Sequence, residues 1–368
     1  MDSDKLASNR KILIPGNSRL NATARGRSFA NMIPQENPSR HERREFLKRL
    51  GLAGAGLFFG GKTFAAEEAT QVPQRKFGRH DFTVSSLCLG GHALRNVDDA
   101  QARQIVDNAL ALGVNFFDNA WDYHEGRAEE LMGQCIKGKR DKVFLMTKVC
   151  THDTGGRKEA MEMLEQSLTR LGTDHLDLWQ VHALSTMQQV ERAFAPGGVM
   201  EALDEARKQG KIRFSGFTGH TDPEVHLAML SHGYAFDACQ LPISAIEANS
   251  NAFVKRVLPE LLKQKIAPLA MKSLGGNAAA VRDGIVRVPE AITYALSHSV
   301  TTVVSGIESL SQLHENAAIA AAFAPMSGGA MLALEKRCLP ATESNKYQPY
   351  RRWMSYRDGD AAKYGSYV

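Results

Sequence analysis

Cysteine is scarce in this sequence, and the cysteines that occur are far apart. There are five in 368 residues, an odd number with no closely spaced pair. This pattern argues against a disulfide framework and against a zinc or iron–sulfur site, so the sequence predicts no metal. Cys88 and Cys239 fall inside apolar strand patterns, and we interpret them as buried packing residues.

Other absences narrow the class of protein further. No hydrophobic run is long enough to cross a bilayer. The net charge of +5 comes from residues 1–65, and the rest of the chain is close to neutral. We therefore expect neither nucleic acid nor an anionic membrane surface as a partner. The region after the leader has no G-x-G-x-x-G following a predicted strand, which argues against a Rossmann domain.

Residues 1–65 have the composition of an export leader. Arg43 and Arg44 precede Phe-Leu-Lys, a weakly apolar run follows at 50–61, and 63–65 offers a small-residue cleavage site. This order resembles a twin-arginine (Tat) signal, which predicts a periplasmic protein delivered by the Tat export machinery. A membrane-anchoring helix is the alternative, although the mature form should have no membrane span. Met32 is an alternative start, and we expect no fold before about residue 70.

From residue 74 onward, strand and helix patterns alternate. A hairpin at 75–84 comes first, and eight strands follow, each with a helix after it. This alternation favours a (β/α)8 TIM barrel of class α/β over an open doubly wound sheet. The chain then divides into a leader at 1–65, a barrel at 66–324 and an irregular tail at 325–368 that covers the barrel mouth. The predicted strands are 87–91, 114–117, 143–148, 176–182, 212–218, 238–241, 266–271 and 302–305, and the predicted helices are 98–112, 128–136, 158–171, 200–209, 223–231, 252–264, 289–297 and 309–323.

Ionisable side chains stand at the carboxyl ends of three predicted strands. Asp118 and Tyr123 follow the strand at 114–117, Lys148 ends the next strand, and His182 ends the one after that. Catalytic groups of barrel enzymes lie at the carboxyl ends of the strands, so these four side chains should converge. Taken singly, each has a structural interpretation: an ion pair, a rim tyrosine and a strand-end histidine. Taken together, they form a proton-transfer set.

The stretch 113–133 resembles the signature of the aldo-keto reductase family, G-x-N-x-x-D-T-A-x-x-Y-G-x-G-x-S-E-x-x-L-G. Segment 211–220 resembles the family's G-K-I-R-x-I-G-x-S-N stretch, and segment 306–316 resembles the loop and helix that hold the cofactor's phosphates. The likeness covers residues 74–324 and implies a barrel that reduces aldehydes or ketones with NAD(P)H. The signature is matched at Gly113, Asn115, Asp118, Ala120, Tyr123, Gly126, Glu129 and Gly133, and it is not matched at Asn119, His124 and Ala128.

The resemblance gives each member of the proton-transfer set a role. Tyr123 would protonate the alkoxide that hydride transfer leaves on a carbonyl oxygen. A free phenol has a pKa of about 10, and a neighbouring cation lowers that value because it stabilises the phenolate. Lys148 would supply the cation and Asp118 would hold the lysine in place. His182 would orient the carbonyl oxygen and donate to it.

The resemblance also implies a nicotinamide cofactor at the barrel mouth. Thr218, Gln240 and Met271 would line the nicotinamide. Lys272, after the seventh barrel strand, is either a phosphate ligand or a solvated lysine. The loops after the last two barrel strands commonly hold phosphate, and a helix start strengthens such a site. The stretch after the eighth strand would contribute Gly306, Ile307, Glu308, Ser309, Gln312, Glu315 and Asn316, with Asn316 beside the adenine.

Cofactor preference, substrate and function follow from the same likeness. The resemblance to the family implies a preference for NADP(H) over NAD(H). However, Gly306 and Gln312 stand where many members have Lys and Arg for the 2′-phosphate. A small carbonyl or alcohol substrate would sit in a pocket shaped by Trp121, the loop 183–198 and the tail from residue 325. The alternative is a regulatory module that holds the cofactor without turning it over. Fold alone does not separate the two, and the complete proton-transfer set favours the enzyme.

Overall fold

The structure is a computed structural model that describes residues 71–150, 155–248, 251–342, 344 and 346–352. Its strands are β1 Gln74–Lys76, β2 Thr83–Ser85, β3 Leu87–Gly90, β4 Phe116–Asp118, β5 Phe144–Val149, β6 Leu176–Val181, β7 Ile212–Thr218, β8 Ala238–Pro242, β9 Ala267–Met271 and β10 Thr302–Gly306. Strands β3 to β10 form a closed parallel barrel in chain order, and β10 closes the ring against β3. The antiparallel pair β1–β2 precedes it. The predicted barrel and hairpin are confirmed.

Helices cover the outside of the barrel. In α1, residues Ala102, Ile105, Val106 and Ala109 repeat at helical spacing and are buried, and Asp98 caps the first turn by accepting from the Gln101 amide. No helix among the described residues is long and apolar enough to cross a membrane. The helices are α1 Asp99–Ala111, α2 Arg127–Ile136, α3 Arg157–Leu171, α4 Met187–Phe194, α5 Val199–Lys208, α6 Pro223–Ser231, α7 Phe253–Arg256, α8 Leu258–Lys263, α9 Ala279–Arg282, α10 Val288–Ser297, α11 Leu310–Ala321 and α12 Gly328–Thr342.

Aromatic rings of the hairpin fill the amino-terminal end of the barrel. Phe77 is fully buried, and its ring centroid lies 5.0 Å from that of Phe144 and 5.3 Å from that of Phe214. Phe82 stacks on Phe214 at 5.3 Å. Aromatic pairs in offset or tilted contact at such distances add to the gain from burial. With this end filled, the carboxyl ends of the strands at the opposite end remain for a ligand.

The helices differ from the sequence prediction in four places, one of which is the short helix α9, where no helix was predicted. The stretch 252–264 is two helices, α7 and α8, rather than one. The break precedes Pro259, which has no amide hydrogen and whose ring clashes with the carbonyl four residues earlier. Helix α4 begins at a capping box of Thr186 and Gln189, inside the stretch predicted to be a loop. Helix α12 was also not predicted, because glycines at its start and the internal Pro340 mask its helical pattern.

The described part of the tail packs on loops at the mouth of the barrel. Gln348 Nε2 donates to the Ile246 carbonyl at 3.1 Å, just after β8. Arg351 forms a salt bridge with the buried Glu247. Tyr350 is fully buried, and its ring lies 5.9 Å from that of His220, which follows β7. These contacts attach the tail to the loops after two neighbouring strands.

Candidate active site

Two adjacent strand ends bring Asp118, Lys148 and Tyr123 together. Asp118 is the last residue of β4, and Lys148 lies near the end of β5, which pairs with β4. Lys148 Nζ forms a salt bridge with Asp118, and donates to the Asn119 carbonyl at 2.6 Å and to the Tyr123 hydroxyl at 3.3 Å. Only 1% of the Lys148 surface is exposed. A buried charge is tolerated when it is paired and hydrogen-bonded, so Lys148 is held as a cation against the phenol.

A chain of buried amides holds Asp118 from its other side. Gln240 Nε2, on β8, donates to Asp118 Oδ2 at 3.2 Å. Gln180 Nε2, on β6, donates in turn to Gln240 Oε1 at 3.2 Å. All three side chains are buried. Because a carboxylate accepts hydrogen bonds at both oxygens, Asp118 accepts from Lys148 and from Gln240 at the same time. The two contacts hold the carboxylate in one orientation.

Tyr123 opens a turn with an unusual backbone. His124 and Glu125 have φ angles of 52° and 58°, in the left-handed region that non-glycine residues rarely adopt. Gly126 follows with a φ of 91°, and a Cβ there would lie 2.3 Å from the guanidinium carbon of Arg170. Glycine is therefore required at the position where the family signature has it. Backbone strain of this kind is concentrated at functional sites.

His182 stands beside Tyr123 in the same mouth. The two ring centroids are 5.7 Å apart, with the rings edge to face. Nδ1 of His182 lies 3.1 Å from Asp122 Oδ1 and 3.1 Å from the Cys150 sulfur. Burial raises the pKa of the Asp122 carboxyl, but the charge of His182 and hydrogen bonds from His182 and Cys150 outweigh it. The pKa therefore lies well below its usual range, and Asp122 is ionised.

A cleft that is partly open to solvent lies next to the proton-transfer set. Binding sites for small molecules and cofactors are concave in the same way. The cleft adjoins the ends of β3, β9 and β10, where the mouth is open between the last strands and the first. Several predicted residues line it, namely Asp118, Tyr123, Gln240, Met271, Lys272 and Gly306.

Lys272 places a second cation in this cleft. It directly follows β9 and has a φ of 58°. Burial, and after it the charge of Lys148, lower the pKa of Lys272 to about 8, while the charge of Asp118 acts in the opposite direction. A lysine in bulk water would show no such shift. The side chain is half-buried, and its role as a phosphate ligand stays a prediction.

The stretch after β10 is organised by its own hydrogen bonds. Ser309 Oγ accepts from the Gln312 amide at 3.2 Å and caps α11. Gln312 Oε1 accepts from the Glu308 amide at 2.7 Å. Gly306 lines the cleft, and a Cβ there would lie 3.2 Å from that of Ala93. The loop is therefore ordered around the start of a helix, where backbone N–H groups attract anions.

Other predicted cofactor residues are engaged within the protein. Ile307 is fully buried in the hydrophobic core. Asn316 is buried, and its Nδ2 donates to Ser305 Oγ at 3.0 Å. Thr218 is buried at the end of β7, while Glu315 is exposed on α11. Asn316 thus reaches the cleft through Ser305, which lines it.

Trp121 packs away from the cleft. Its indole Nε1 donates to Gln166 Oε1 on α3 at 2.8 Å. The guanidinium carbon of Arg170, also on α3, lies 5.4 Å from the ring centroid. The indole is thus used to join the loop after β4 to α3, and the predicted role of Trp121 in shaping a substrate pocket finds no support in these contacts.

The sequence prediction missed Asp122 and Cys150, and it also missed Gln180, which donates to Gln240. Asp122 directly precedes Tyr123, and Cys150 is two residues after Lys148. Their positions next to predicted catalytic residues at strand ends were the available signal. It was weak because the partner of both, His182, lies more than thirty residues further along the chain.

Comparison with known proteins places the barrel in a family. A family model described as "Aldo/keto reductase family" matches residues 86–284. Methylglyoxal reductase YeaE of Escherichia coli is 29% identical over 231 residues, which is 61% of this chain and 76% of that protein. Aldo-keto reductase yakc [NADP(+)] of Schizosaccharomyces pombe is 30% identical over 197 residues, 50% of this chain and 53% of that protein.

The fold also has solved counterparts. The structure of aldo-keto reductase AKR11C1 from Bacillus halodurans (holo form) superposes with a TM-score of 0.61 at 22% identity. The match covers 76% of this chain and 100% of that one, and at this identity it concerns the fold alone. Among the curated relatives, the chain spans about half the length of several that it matches.

Proposed function

This chain belongs to the aldo/keto reductase family, and we propose that it interconverts a small aldehyde or ketone and its alcohol with a nicotinamide cofactor. The observation that carries the proposal is the contact between the buried Lys148 ammonium and the Tyr123 hydroxyl, at 3.3 Å. Tyr123 lines a cleft at the mouth of the barrel. A phenol against a fixed cation is an acid suited to neutral pH.

Each residue of the proton-transfer set would have a separate role in the reaction. Bound reduced cofactor would supply the hydride that the carbonyl carbon accepts. The carbonyl oxygen then needs a proton, which the Tyr123 hydroxyl is placed to give. Lys148 stabilises the phenolate that remains, and Asp118 keeps the lysine charged and fixed. His182, next to Tyr123, would orient the same oxygen and donate to it.

The cleft residues fit a dinucleotide. Gln240 and Met271 line the part nearest Tyr123, where the nicotinamide would lie. Lys272 offers a cation for the phosphates, and the start of α11 offers the positive end of a helix dipole. We assign NADP(H) as the favoured cofactor. Membership of the family supports this choice. The residues at Gly306 and Gln312 weaken it, because neither provides a cation for a 2′-phosphate.

The proposal is tested with the purified full-length chain. NADPH oxidation is followed by absorbance against a panel of small aldehydes and ketones, with NADH in parallel. We expect oxidation that depends on both enzyme and carbonyl compound. Tight NADPH binding with no turnover on any member of the panel would contradict the reductase and point to the non-catalytic cofactor-binding module instead.

A further inference from the structure

Three potential metal ligands from three neighbouring strand ends converge beside the proposed active site. Asp122 lies in the loop after β4, Cys150 directly follows β5, and His182 directly follows β6. One ligand atom from each lies within 4.8 Å of the others. These residues are far apart in sequence, and the parallel order of the strands brings them together.

Two of the three separations between ligand atoms are close to those around a tetrahedral ion. His182 Nδ1 is 3.1 Å from the Cys150 sulfur and 3.1 Å from Asp122 Oδ1. Around a tetrahedral zinc ion, ligand atoms are separated by roughly 3.4–3.6 Å, given the usual bond lengths to nitrogen, sulfur and oxygen. These two pairs need to move apart by a few tenths of an ångström, and the third pair lies within 4.8 Å.

Charge and burial favour a cation at this position. Both carboxylate oxygens of Asp122 are shielded from solvent, and Cys150 and His182 are buried. A carboxylate and a thiolate together balance the two charges of a divalent cation, with a neutral imidazole as third ligand. The nearby Lys148 charge is already compensated by Asp118.

We propose that Asp122, Cys150 and His182 form a binding site for a divalent cation of the zinc type. Nitrogen, sulfur and carboxylate donors together select zinc or cobalt over magnesium or calcium, which prefer oxygen alone. Ligation through Nδ1 leaves the remaining hydrogen of His182 on Nε2. The wide spacing of the cysteines predicted no metal, so this proposal departs from the sequence prediction. The proposal does not depend on reductase activity.

The test is cobalt and zinc binding by the purified full-length chain. Co²⁺ is added first, because a cobalt–thiolate bond produces a charge-transfer absorption that oxygen and nitrogen ligands do not give. Zn²⁺ is then titrated in to displace it. We expect one equivalent of Co²⁺ with the thiolate band, displaced by one equivalent of Zn²⁺.

Variants assign the signal to the three residues. Cys150→Ser should abolish the band, and Asp122→Asn should weaken Zn²⁺ binding by at least about tenfold, the scale seen even for outer-shell partners. Cys135→Ser, at a buried thiol on α2, is the matched control and should keep wild-type binding. Circular dichroism and thermal unfolding check that each variant folds, with Cys150→Ala as a second thiol deletion. Absence of the band in the folded wild type, or equal Zn²⁺ affinity in Cys150→Ser and wild type, would overturn the proposal.

Discussion

At the scale of single residues, the chemistry depends on how Tyr123 is surrounded. Its hydroxyl accepts from Lys148, its ring lies 4.8 Å from the same ammonium, and His92 meets the ring edge to face at 5.0 Å. The cation favours the phenolate, which the phenol must become when it gives up its proton. The lysine can play this part because Asp118 and a backbone carbonyl fix it in a buried position.

Replacing the phenol should remove the acid while sparing the packing. Tyr123→Phe keeps the ring and loses only the hydroxyl, so we expect carbonyl reduction to fall at least about 100-fold, with cofactor binding nearly unchanged. Steady-state turnover and NADPH titration measure the two quantities. Tyr234→Phe, whose hydroxyl bonds Asp204 on the outside, is the control and should keep full activity. Wild-type turnover in Tyr123→Phe would show that another group is the acid.

A second residue, Gln312, governs the expected cofactor preference. We predict that NADPH binds better than NADH by no more than about tenfold, or ~1.4 kcal/mol, because no cation stands at Gly306 or Gln312. Gln312→Arg adds a bidentate phosphate donor and should widen the gap by roughly tenfold. Dissociation constants for both cofactors provide the measurement.

Gln312→Met is the matched control for that prediction. It removes the bond to the Glu308 amide, as the arginine does, without adding charge. Its two affinities should therefore change together. If Gln312→Arg tightened NADPH and NADH equally, Gln312 would lie away from the 2′-phosphate.

At the scale of elements, the tail is held by a buried contact between a carboxyl and a guanidinium group. Glu247, after β8, is 1% exposed and pairs with Arg351. Burial raises the pKa of Glu247 to about 8, although Arg351 acts to lower it. Since the folded-state pKa exceeds the unfolded value, the folded chain keeps a proton that the unfolded chain has lost. The stabilisation is complete at low pH and is lost as the pH rises through about 8.

This sign gives a pH-dependent prediction. Between pH 6 and 8 the wild type should lose up to about 3 kcal/mol of unfolding free energy to this group, at about 1.4 kcal/mol per pH unit. Glu247→Gln mimics the protonated acid. Over the same pH range, its unfolding free energy should therefore fall by up to about 3 kcal/mol less than that of the wild type. Urea unfolding at several pH values measures the difference.

The comparison variant for this prediction is Glu290→Gln. Glu290 pairs with Arg287 and Arg337, which hold its pKa at about 2 despite partial burial, so it stays charged from pH 6 to 8 in both states. Its replacement should leave the pH slope at the wild-type value. An unchanged slope in Glu247→Gln would mean that Glu247 is ionised beside Arg351 at pH 6.

At the scale of the whole molecule, the described barrel is free of disulfides. All five cysteines are free and buried, which confirms the packing interpretation of Cys88 and Cys239. Free thiols suit folding in a reducing compartment. The leader with Arg43 and Arg44 lies outside the described residues, and we propose that it directs export of the folded barrel with its nicotinamide already bound.

Export is tested by fractionation of cells. Arg43→Lys together with Arg44→Lys should keep the protein in the cytoplasm, whereas Arg40→Lys with Arg49→Lys makes the same change at flanking positions and should not. Cofactor is then extracted from the exported form, which we expect to begin near Ala66 and to carry nicotinamide. Unchanged location in the first pair would sink the export proposal. Exported protein without nicotinamide would contradict only the proposal that the cofactor is bound before export.

The sequence by itself determined the barrel and the approach of Asp118, Tyr123, Lys148 and His182. Apolar spacing of two and of 3.6 residues is a local property, and in a parallel barrel every strand end meets the same mouth. The sequence alone therefore predicts that a residue at the end of a strand lies at this mouth. The resemblance to the family signature added the proposal that Tyr123 is the acid.

Only the tertiary structure decided the contacts between those ends. The contacts of His182 with Asp122 and Cys150, the partial burial of Lys272 and the contact of Trp121 with α3 each depend on residues distant in sequence. The tail helix α12 was missed for a similar reason, since contacts such as that of Thr342 with the Ile246 carbonyl fix its place. Side-chain direction and burial follow from packing across elements, which no local spacing records.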